Sequence, residues 1–185
     1  DGLAYGGAPV AEPVEATRQS TGLDALIDNR IMATAERDLL NFILTYGTTK
    51  LEFQSDSAFY SGSDEDALTV FDFIGQALEG DNSQFANSVF RKVYEAYSKD
   101  YYEGYSQDEI VKRLMDGEDR DMAYVAAQLS TDERYDLSVK NLRQSMMSKG
   151  SWLTIYVPKA ILVYQQSRLE DKENELKERL GEAQT

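Results

Sequence analysis

Apolar residues recur at intervals of three and four along several stretches of the chain, which is the period of an amphipathic helix. In the clearest stretch, Leu39, Leu40, Ile43 and Tyr46 fall on one side of a helix. This periodicity, bounded by capping residues, predicts helices over residues 35–46, 64–78, 88–102, 106–115, 119–129 and 158–180. We therefore predict an all-α fold, a multi-helix bundle with a long C-terminal helix.

Capping residues define the ends of the first two predicted helices. Thr34 is the expected N-cap of the first helix, and Gly47 is expected to end it in the left-handed conformation. Ser63 is the expected N-cap of the second helix. The acidic residues 64–66 would then lie in its first turn, where the helix dipole favours negative charge.

The third and fourth helices also have clear starts. Asn87 is the expected N-cap of the third helix, and Ser106 and Glu109 form a capping box at the fourth. The third helix carries a regular apolar stripe of Phe90, Val93, Tyr94, Tyr97 and Tyr101. We interpret this stripe as core packing, because a stacking platform for single-stranded bases needs more flanking cations.

The stretch before the last helix is harder to interpret. Residues 132–147 allow a helix with a thin apolar stripe. Residues 152–157 are β-branched and aromatic, which is typical of a strand, but no partner strand is evident. We therefore interpret them as the approach to the last helix, and Pro158 suits the first turn of that helix.

The chain divides into three predicted parts. Residues 1–33 are rich in Gly, Ala and Pro without periodicity, which indicates a linker and implies a further domain before it. Residues 34–157 would form the helical bundle. Residues 158–185 would form the long C-terminal helix, its first half packed on the bundle and its second half projecting. We expect the chain to be the C-terminal portion of a longer protein.

The last helix changes character along its length. Its beginning carries an apolar stripe typical of a helix face packed in a core, formed by Val157, Ala160, Ile161 and Tyr164. Beyond this stripe its apolar residues are Leu169, Leu176 and Leu180, among charges that form the four-apart pairs Glu173–Lys177 and Glu175–Arg179. These three leucines are our candidate partner-binding residues. The alternative is a solvated helix end that contacts no partner.

Composition narrows the possible chemistry. The 185 residues include no Cys and no His, which excludes a disulfide framework, a thiol nucleophile, a Cys-based zinc site and a histidine base. No apolar run approaches the ~20 residues that span a bilayer, and no signal-peptide pattern is present. We expect a cytoplasmic protein with no membrane partner.

The charge is strongly negative and unevenly distributed. With 33 acids against 19 bases the net charge is -14, which disfavours direct binding to nucleic acid. Residues 51–90 contain eight acids and no base, whereas residues 137–169 contain five bases and no acid. The two segments either attract each other within the fold, or one of them faces a partner protein.

No recognised catalytic or nucleotide-binding motif occurs. The acids at 64–66 are explained by a helix start, and Asp116, Glu118, Asp119 and Asp121 lack the order of a calcium loop. We predict no catalytic, cofactor-binding or metal-binding residue and interpret the chain as a non-catalytic interaction module. Two alternatives are an enzyme that uses carboxylates and a metal, and a helical regulatory or oligomerisation domain.

Five stretches, in order, resemble the C-terminal, helicase-binding domain of bacterial DNA primase, especially the Bacteroidetes type. They are ERDLLNFILTYG at 36–47, FANSVFRKVYEAY at 85–97, AYVAAQLS at 123–130, YDLS at 135–138 and YVPKAILVY at 156–164. The resemblance covers residues 34–180. It implies a helical bundle similar to the N-terminal domain of the replicative helicase, placed behind a zinc-binding domain and an RNA-polymerase domain.

The resemblance also implies a function. The family's domain contacts the replicative DNA helicase and recruits primase, a nucleotidyltransferase, for RNA primer synthesis in DNA replication. The zinc and magnesium of such a primase would belong to its other domains, so no cofactor is expected in these residues. Members of that family continue past the long helix into a terminal helical hairpin that makes most of the helicase contact, and residues 1–185 contain no counterpart of it.

Overall fold

The computed structural model describes residues 22–131 and 148–185. Their helices are a 3-10 helix at Gly22–Leu26, α1 at Arg30–Tyr46, α2 at Val70–Gly80, α3 at Ser88–Tyr102, α4 at Gln107–Met115, α5 at Arg120–Leu129 and α6 at Lys149–Ala183. Within these two ranges there is no strand, and Lys50 and Thr69 form an isolated antiparallel bridge. The predicted all-α fold with a long C-terminal helix is confirmed.

Helix α1 lies at the centre of the bundle and contacts α2, α3, α4, α5 and α6. Its apolar residues cover most of its circumference, which is the pattern of a buried helix. The fully buried ones include Leu39, Leu40 and Ile43. Helix α6 packs along it through Trp152, whose ring lies 5.7 Å from that of Phe42.

The aromatic stripe of α3 belongs to the core, as predicted. Phe90, Val93 and Tyr97 are fully buried. The Phe71 ring of α2 packs against them, with its centroid 5.1 Å from that of Tyr97 and 4.5 Å from that of Tyr101. The buried Tyr97 hydroxyl donates to Gln107 Oε1 at 2.6 Å, so its polar end is satisfied inside the bundle.

The predicted start of the first helix is wrong. Helix α1 begins at Arg30, and its N-cap is Asn29, whose side chain accepts from the Met32 N–H at 3.1 Å. Thr34 therefore lies inside the helix. Residues 30–33 of the predicted linker belong to α1 and residues 22–26 form the 3-10 helix, while residues 1–21 lie outside the described part of the chain.

Gly47 does end α1, but not in the left-handed conformation, since its φ is -51°. Glycine is needed at this position because no room is left for a side chain. A Cβ at Gly47 would collide with the Tyr97 hydroxyl and with the Ile43 carbonyl oxygen. The close approach of α3 to the end of α1 therefore requires the residue.

The predicted start of the second helix is also wrong. Helix α2 begins at Val70, and its N-cap Thr69 accepts from the Asp72 N–H at 3.1 Å. Before it, the Leu51 N–H donates to the Leu68 carbonyl at 2.8 Å, and the Val70 N–H donates to the Thr49 carbonyl at 2.9 Å. These long-range bonds hold residues 68–69 extended, so a helix cannot run through them from residue 64.

The next three helices have the predicted extents to within one residue. The capping box is present, with Ser106 Oγ accepting from the Glu109 N–H and Glu109 accepting from the Ser106 N–H. Asp119 caps α5. Asn87 precedes α3 as predicted, but its side chain makes no capping bond, because it is committed to the buried network described below.

The last helix begins earlier than predicted, at Lys149, with Ser148 as its N-cap. Residues 152–157 are helical, and Pro158 lies inside the helix rather than in its first turn. Burial of Trp152, Leu153 and Val157 on the bundle outweighs their strand propensity and the backbone hydrogen bond that proline removes. The predicted boundary between residues 157 and 158 therefore falls within α6. The prediction for residues 132–147 lies outside the described residues.

Candidate partner-binding surface

Helix α6 carries a line of exposed apolar side chains, which we call the stripe. Its members are Ile155, Leu162, Leu169, Leu176 and Leu180, with exposed fractions of 50%, 65%, 70%, 59% and 63%. The first four follow one another at intervals of seven residues, which keeps them on one side of a helix. The exposure of Leu169, Leu176 and Leu180 agrees with the prediction.

The stripe lies opposite the buried face of the same helix. At about 100° per residue, Leu162 and the buried Tyr164 point in nearly opposite directions. Packing on the bundle continues past the predicted midpoint, because Asn29 Nδ2 donates to both carboxylate oxygens of Asp171 at 3.2 Å and 3.1 Å. From residue 175 onward every side chain is exposed. Leu176 and Leu180 therefore lie on a segment that projects from the bundle.

The projecting segment carries the ion pairs predicted from the sequence. Lys177 Nζ lies 2.6 Å from Glu173 Oε1, and Arg179 Nη2 lies 2.5 Å from Glu175 Oε1. The hydrogen bond from Lys177 lowers the pKa of Glu173. Both pairs have the acid four residues before the base, the order that supports a helix. The pairs lie beside the stripe and keep it in helical register.

A groove adjoins the stripe at Leu162. It lies between α2, α6 and the segment 51–68, and it encloses about 540 Å³. Its apolar lining includes Leu51, Phe53, Phe59, Phe73, Pro158 and Leu162. Because Leu162 belongs to both features, the groove and the stripe form one continuous apolar surface.

Three phenylalanines form one wall of the groove. The ring centroids are 5.3 Å apart for Phe53 and Phe59, 5.5 Å for Phe53 and Phe73, and 5.4 Å for Phe59 and Phe73. Such separations are typical of favourable tilted and edge-to-face contacts. Phe59 is nevertheless 53% exposed. The cluster thus presents a large aromatic face to the solvent.

The segment 51–68, which supplies Phe53 and Phe59 of this wall, is acidic. Five carboxylates of residues 51–68 are exposed: Glu52, Asp56, Asp64, Glu65 and Asp66. Asp64, Glu65 and Asp66 precede α2 rather than lying in its first turn, so the explanation of these acids by a helix start is wrong. On the α6 side of the groove, Gln165 Nε2 donates to Asp81 Oδ2 at 2.7 Å. Arg168 Nη1, also on α6, lies 3.4 Å from the Asp81 carbonyl oxygen.

A buried polar network joins α1, the start of α3 and α6. The fully buried Glu36 carboxylate accepts from the Ala86 N–H at 2.8 Å and from the Asn87 N–H at 3.0 Å. Asn87 Oδ1 accepts from the Asn29 N–H at 2.7 Å, and Asn29 also donates to Asp171 of α6. Burial raises the pKa of Glu36 to about 7, against the opposing effect of these N–H donors. The network anchors the middle of α6 beside the stripe.

Two further acids, Asp119 and Asp100, have structural partners. Asp119 Oδ1 accepts from the Met122 N–H at 3.1 Å in capping α5. Asp100 accepts from Arg113 Nε at 2.8 Å. In residues 22–131 and 148–185, no group of three or more His, Cys, Asp or Glu side chains is placed to hold a metal ion. The helices described there also include none long and apolar enough to cross a membrane.

Sequence reasoning found three members of the stripe and missed Ile155 and Leu162. The signal was the interval of seven residues, which runs unbroken from Ile155 to Leu176. Ile155 was missed because residues 152–157 were not assigned to the helix. Leu162 was missed because the first half of the predicted helix was assigned wholly to core packing. The groove had no sequence signal, because it depends on how the segment 51–68 folds against two helices.

Comparison with known proteins gives one match. A family model described as "Domain of unknown function (DUF8430)" matches residues 24–185. Neither the curated proteins nor the solved structures gave a match. The matched range begins in the 3-10 helix and includes both the groove and the stripe.

Proposed function

We propose that this chain, which belongs to the DUF8430 family of domains of unknown function, is a non-catalytic interaction module of a bacterial DNA primase. In this proposal the module contacts the replicative DNA helicase. It thereby brings the primase to the site where its polymerase domain synthesises RNA primers.

The observation that carries the proposal is the stripe. Leucines that are more than half exposed along a formed helix lack more than half of the ~1.5–3 kcal/mol that complete burial would give each of them. Burial against another protein would recover that free energy. Helical partners pack along such lines through residues repeated every seven positions.

The resemblance to primase supplies the identity of the partner. Four of the five resembling stretches fall on helices described here, in α1, in α3 with the residues that precede it, in α5 and in α6. The fifth, at 135–138, lies outside the described residues. In this proposal the stripe is a contact separate from the terminal hairpin of that primase domain.

A binding measurement tests the proposal. The full chain is titrated with the N-terminal domain of a bacterial replicative helicase by calorimetry. We expect binding that the combined changes Leu169→Gln, Leu176→Gln and Leu180→Gln weaken at least about tenfold, equivalent to 1.4 kcal/mol.

Val163→Gln is the matched control. Val163 is an exposed apolar residue of the same helix, about 100° away from Leu162. Affinity should stay within about twofold of the unchanged chain, a difference below 0.5 kcal/mol. Absence of helicase binding, or equal weakening by Val163→Gln and by the triple change, would refute the proposal.

The interval of seven residues also favours a second candidate, an oligomerisation domain. Against it, the positions that would complete a coiled-coil seam with the stripe include Lys159, Gln166 and Glu173, which are polar. Sedimentation velocity over a range of concentrations separates the two. A dimer that the triple leucine change converts to monomer would favour oligomerisation.

A further inference from the structure

The groove differs from a small-molecule site. Its volume of about 540 Å³ is within the usual range for ligand pockets, but such pockets contain a few converging polar groups that fix the ligand. Here the polar side chains of the lining are Ser61, Gln76 and Gln165, and none of the described lining residues is charged. Gln165 is already bonded to Asp81. The groove therefore provides apolar contacts but lacks the converging polar groups that would fix a particular small ligand.

The shape of the surface suits a helix. The groove lies beside α6, and the stripe continues from it along the helix axis through Leu169 toward Leu180. From Leu162 to Leu180 the stripe extends for about 27 Å at 1.5 Å per residue, which is about five helical turns. An amphipathic helix that binds a groove uses apolar anchors at helical spacing, and this surface provides matching contacts.

The charge around the groove determines which residues the bound helix would carry beside its apolar face. Two of the three rings of the aromatic wall, Phe53 and Phe59, belong to the segment with five exposed carboxylates, and the whole chain has a net charge of -14. Lys50 Nζ, at the base of this segment, donates to the Glu65 carbonyl at 3.1 Å and leaves the carboxylates themselves available. We propose that the groove binds an amphipathic helix of a partner protein, with a bulky apolar residue against Phe53, Phe59 and Phe73 and with Lys or Arg facing residues 52–66.

A second copy of this chain fits the surface less well. Around its own stripe, residues 168–180 contain five acids and four bases, so they offer no net positive charge to the acidic segment 52–66. Charge complementarity therefore does not favour association between two copies. A basic partner gains attraction from the same carboxylates.

This inference does not depend on the assignment to primase. It specifies the chemistry of a segment that binds the groove, whereas the proposed function names a protein that contacts the leucines beyond it. The two are tested with different ligands and different variants, so either can fail alone.

The probe is a synthetic 18-residue helical peptide with Leu and Phe on one face and Lys on both flanks. A matched peptide has Glu in place of every Lys. Fluorescence anisotropy with the full chain should show binding of the Lys peptide that weakens as salt increases, and no binding of the Glu peptide. Amide chemical-shift changes should centre on Phe53, Phe59 and Leu162.

Variants then locate the contact. Phe59→Ser and Leu162→Gln change exposed side chains of the groove and should each weaken binding at least about fivefold, or 1 kcal/mol, whereas Val163→Gln should not. Neutralising Glu52, Asp64 and Glu65 to the amides should weaken binding at least about fivefold, because local charge pairs are lost. The control neutralises the exposed Glu95, Glu103 and Glu118, which removes equal charge from residues that do not line the groove, and should cost less than about twofold.

Four results would overturn the proposal. They are equal affinity for the two peptides, unchanged affinity of the Phe59→Ser variant, equal effects of the two charge variants, and concentration-dependent dimerisation that Phe59→Ser abolishes. The last result would assign the groove to a second copy of the chain.

Discussion

The two faces of α6 run side by side along one helix and have different surroundings. The buried face carries Trp152, Leu153, Val157, Ile161 and Tyr164, which pack on the bundle. The stripe carries residues of similar size and hydrophobicity and remains exposed. Hydrophobicity alone therefore does not distinguish the core face of this helix from its free face.

The spacing of the residues does distinguish them. On the buried face, Leu153, Val157, Ile161 and Tyr164 are separated by four, four and three residues, close to the α-helical period. The first four members of the stripe keep to intervals of seven, which suit a second helix lying along α6. The comparison indicates that a helix can carry one apolar face that packs on its own bundle and a second that remains exposed.

The sharpest test of this comparison uses one residue type on both faces. Leu153→Ala should lower the free energy of unfolding by about 2–5 kcal/mol, because it removes a fully buried side chain and leaves a cavity. Leu162→Ala on the stripe should change it by less than about 0.5 kcal/mol. Urea unfolding monitored by circular dichroism measures both. Similar losses for the two variants would mean that the stripe packs within the bundle.

The Glu36 network that anchors the buried face should respond to pH. The pKa of Glu36 is about 7 in the fold against an ordinary value of 4.5, so ionisation destabilises the folded state as pH rises through this range. The difference in unfolding free energy between the unchanged chain and Glu36→Gln should therefore fall by about 3 kcal/mol from pH 4.5 to pH 8. A difference that is constant over this range would show that the network holds Glu36 in one protonation state.

Asn29, the N-cap of α1, belongs to the same network, and its substitution tests that end of it. Asn29→Ala should cost about 1–2 kcal/mol of unfolding free energy, because it removes the bond from Met32 and the link to Asp171. Thr34→Ala is the control. Thr34 is exposed inside α1, where alanine is the better helix former, so this change should not destabilise the chain. If Thr34→Ala lowered the unfolding free energy more than Asn29→Ala, the helix would begin at residue 34.

The smallest effect is expected on the stripe itself. Changing Leu169, Leu176 and Leu180 together to Gln should shift the Tm by less than about 2 °C, since the side chains are exposed and Gln has nearly the helix propensity of Leu. Differential scanning calorimetry measures the shift. A fall of about 5 °C or more would show that these leucines stabilise the isolated chain.

The candidate surface could be predicted from the sequence only in part. Leu169, Leu176 and Leu180 stand among charges, and that pattern indicated exposure without any structure. Ile155 belongs to the same line but lies in the stretch with strand propensity before Pro158, and Leu162 lies in the half of the predicted helix that was assigned to core packing. Local preferences misplaced the start of α6 because they do not include the burial of Trp152 and Leu153.

Helix periods and local caps determined most of this fold. Residues such as Ser106 and Glu109 satisfy each other within one turn, so their role can be inferred without knowledge of any distant contact. The starts of α2 and α6, the role of Gly47 and the groove depended on tertiary structure. In each case the deciding contact joins residues far apart in the chain: Val70 with Thr49, Trp152 with Phe42, Gly47 with Tyr97, and Leu162 with the wall that contains Phe59. A sequence pattern reports local preference, whereas burial and steric fit exist only when such distant segments are packed together.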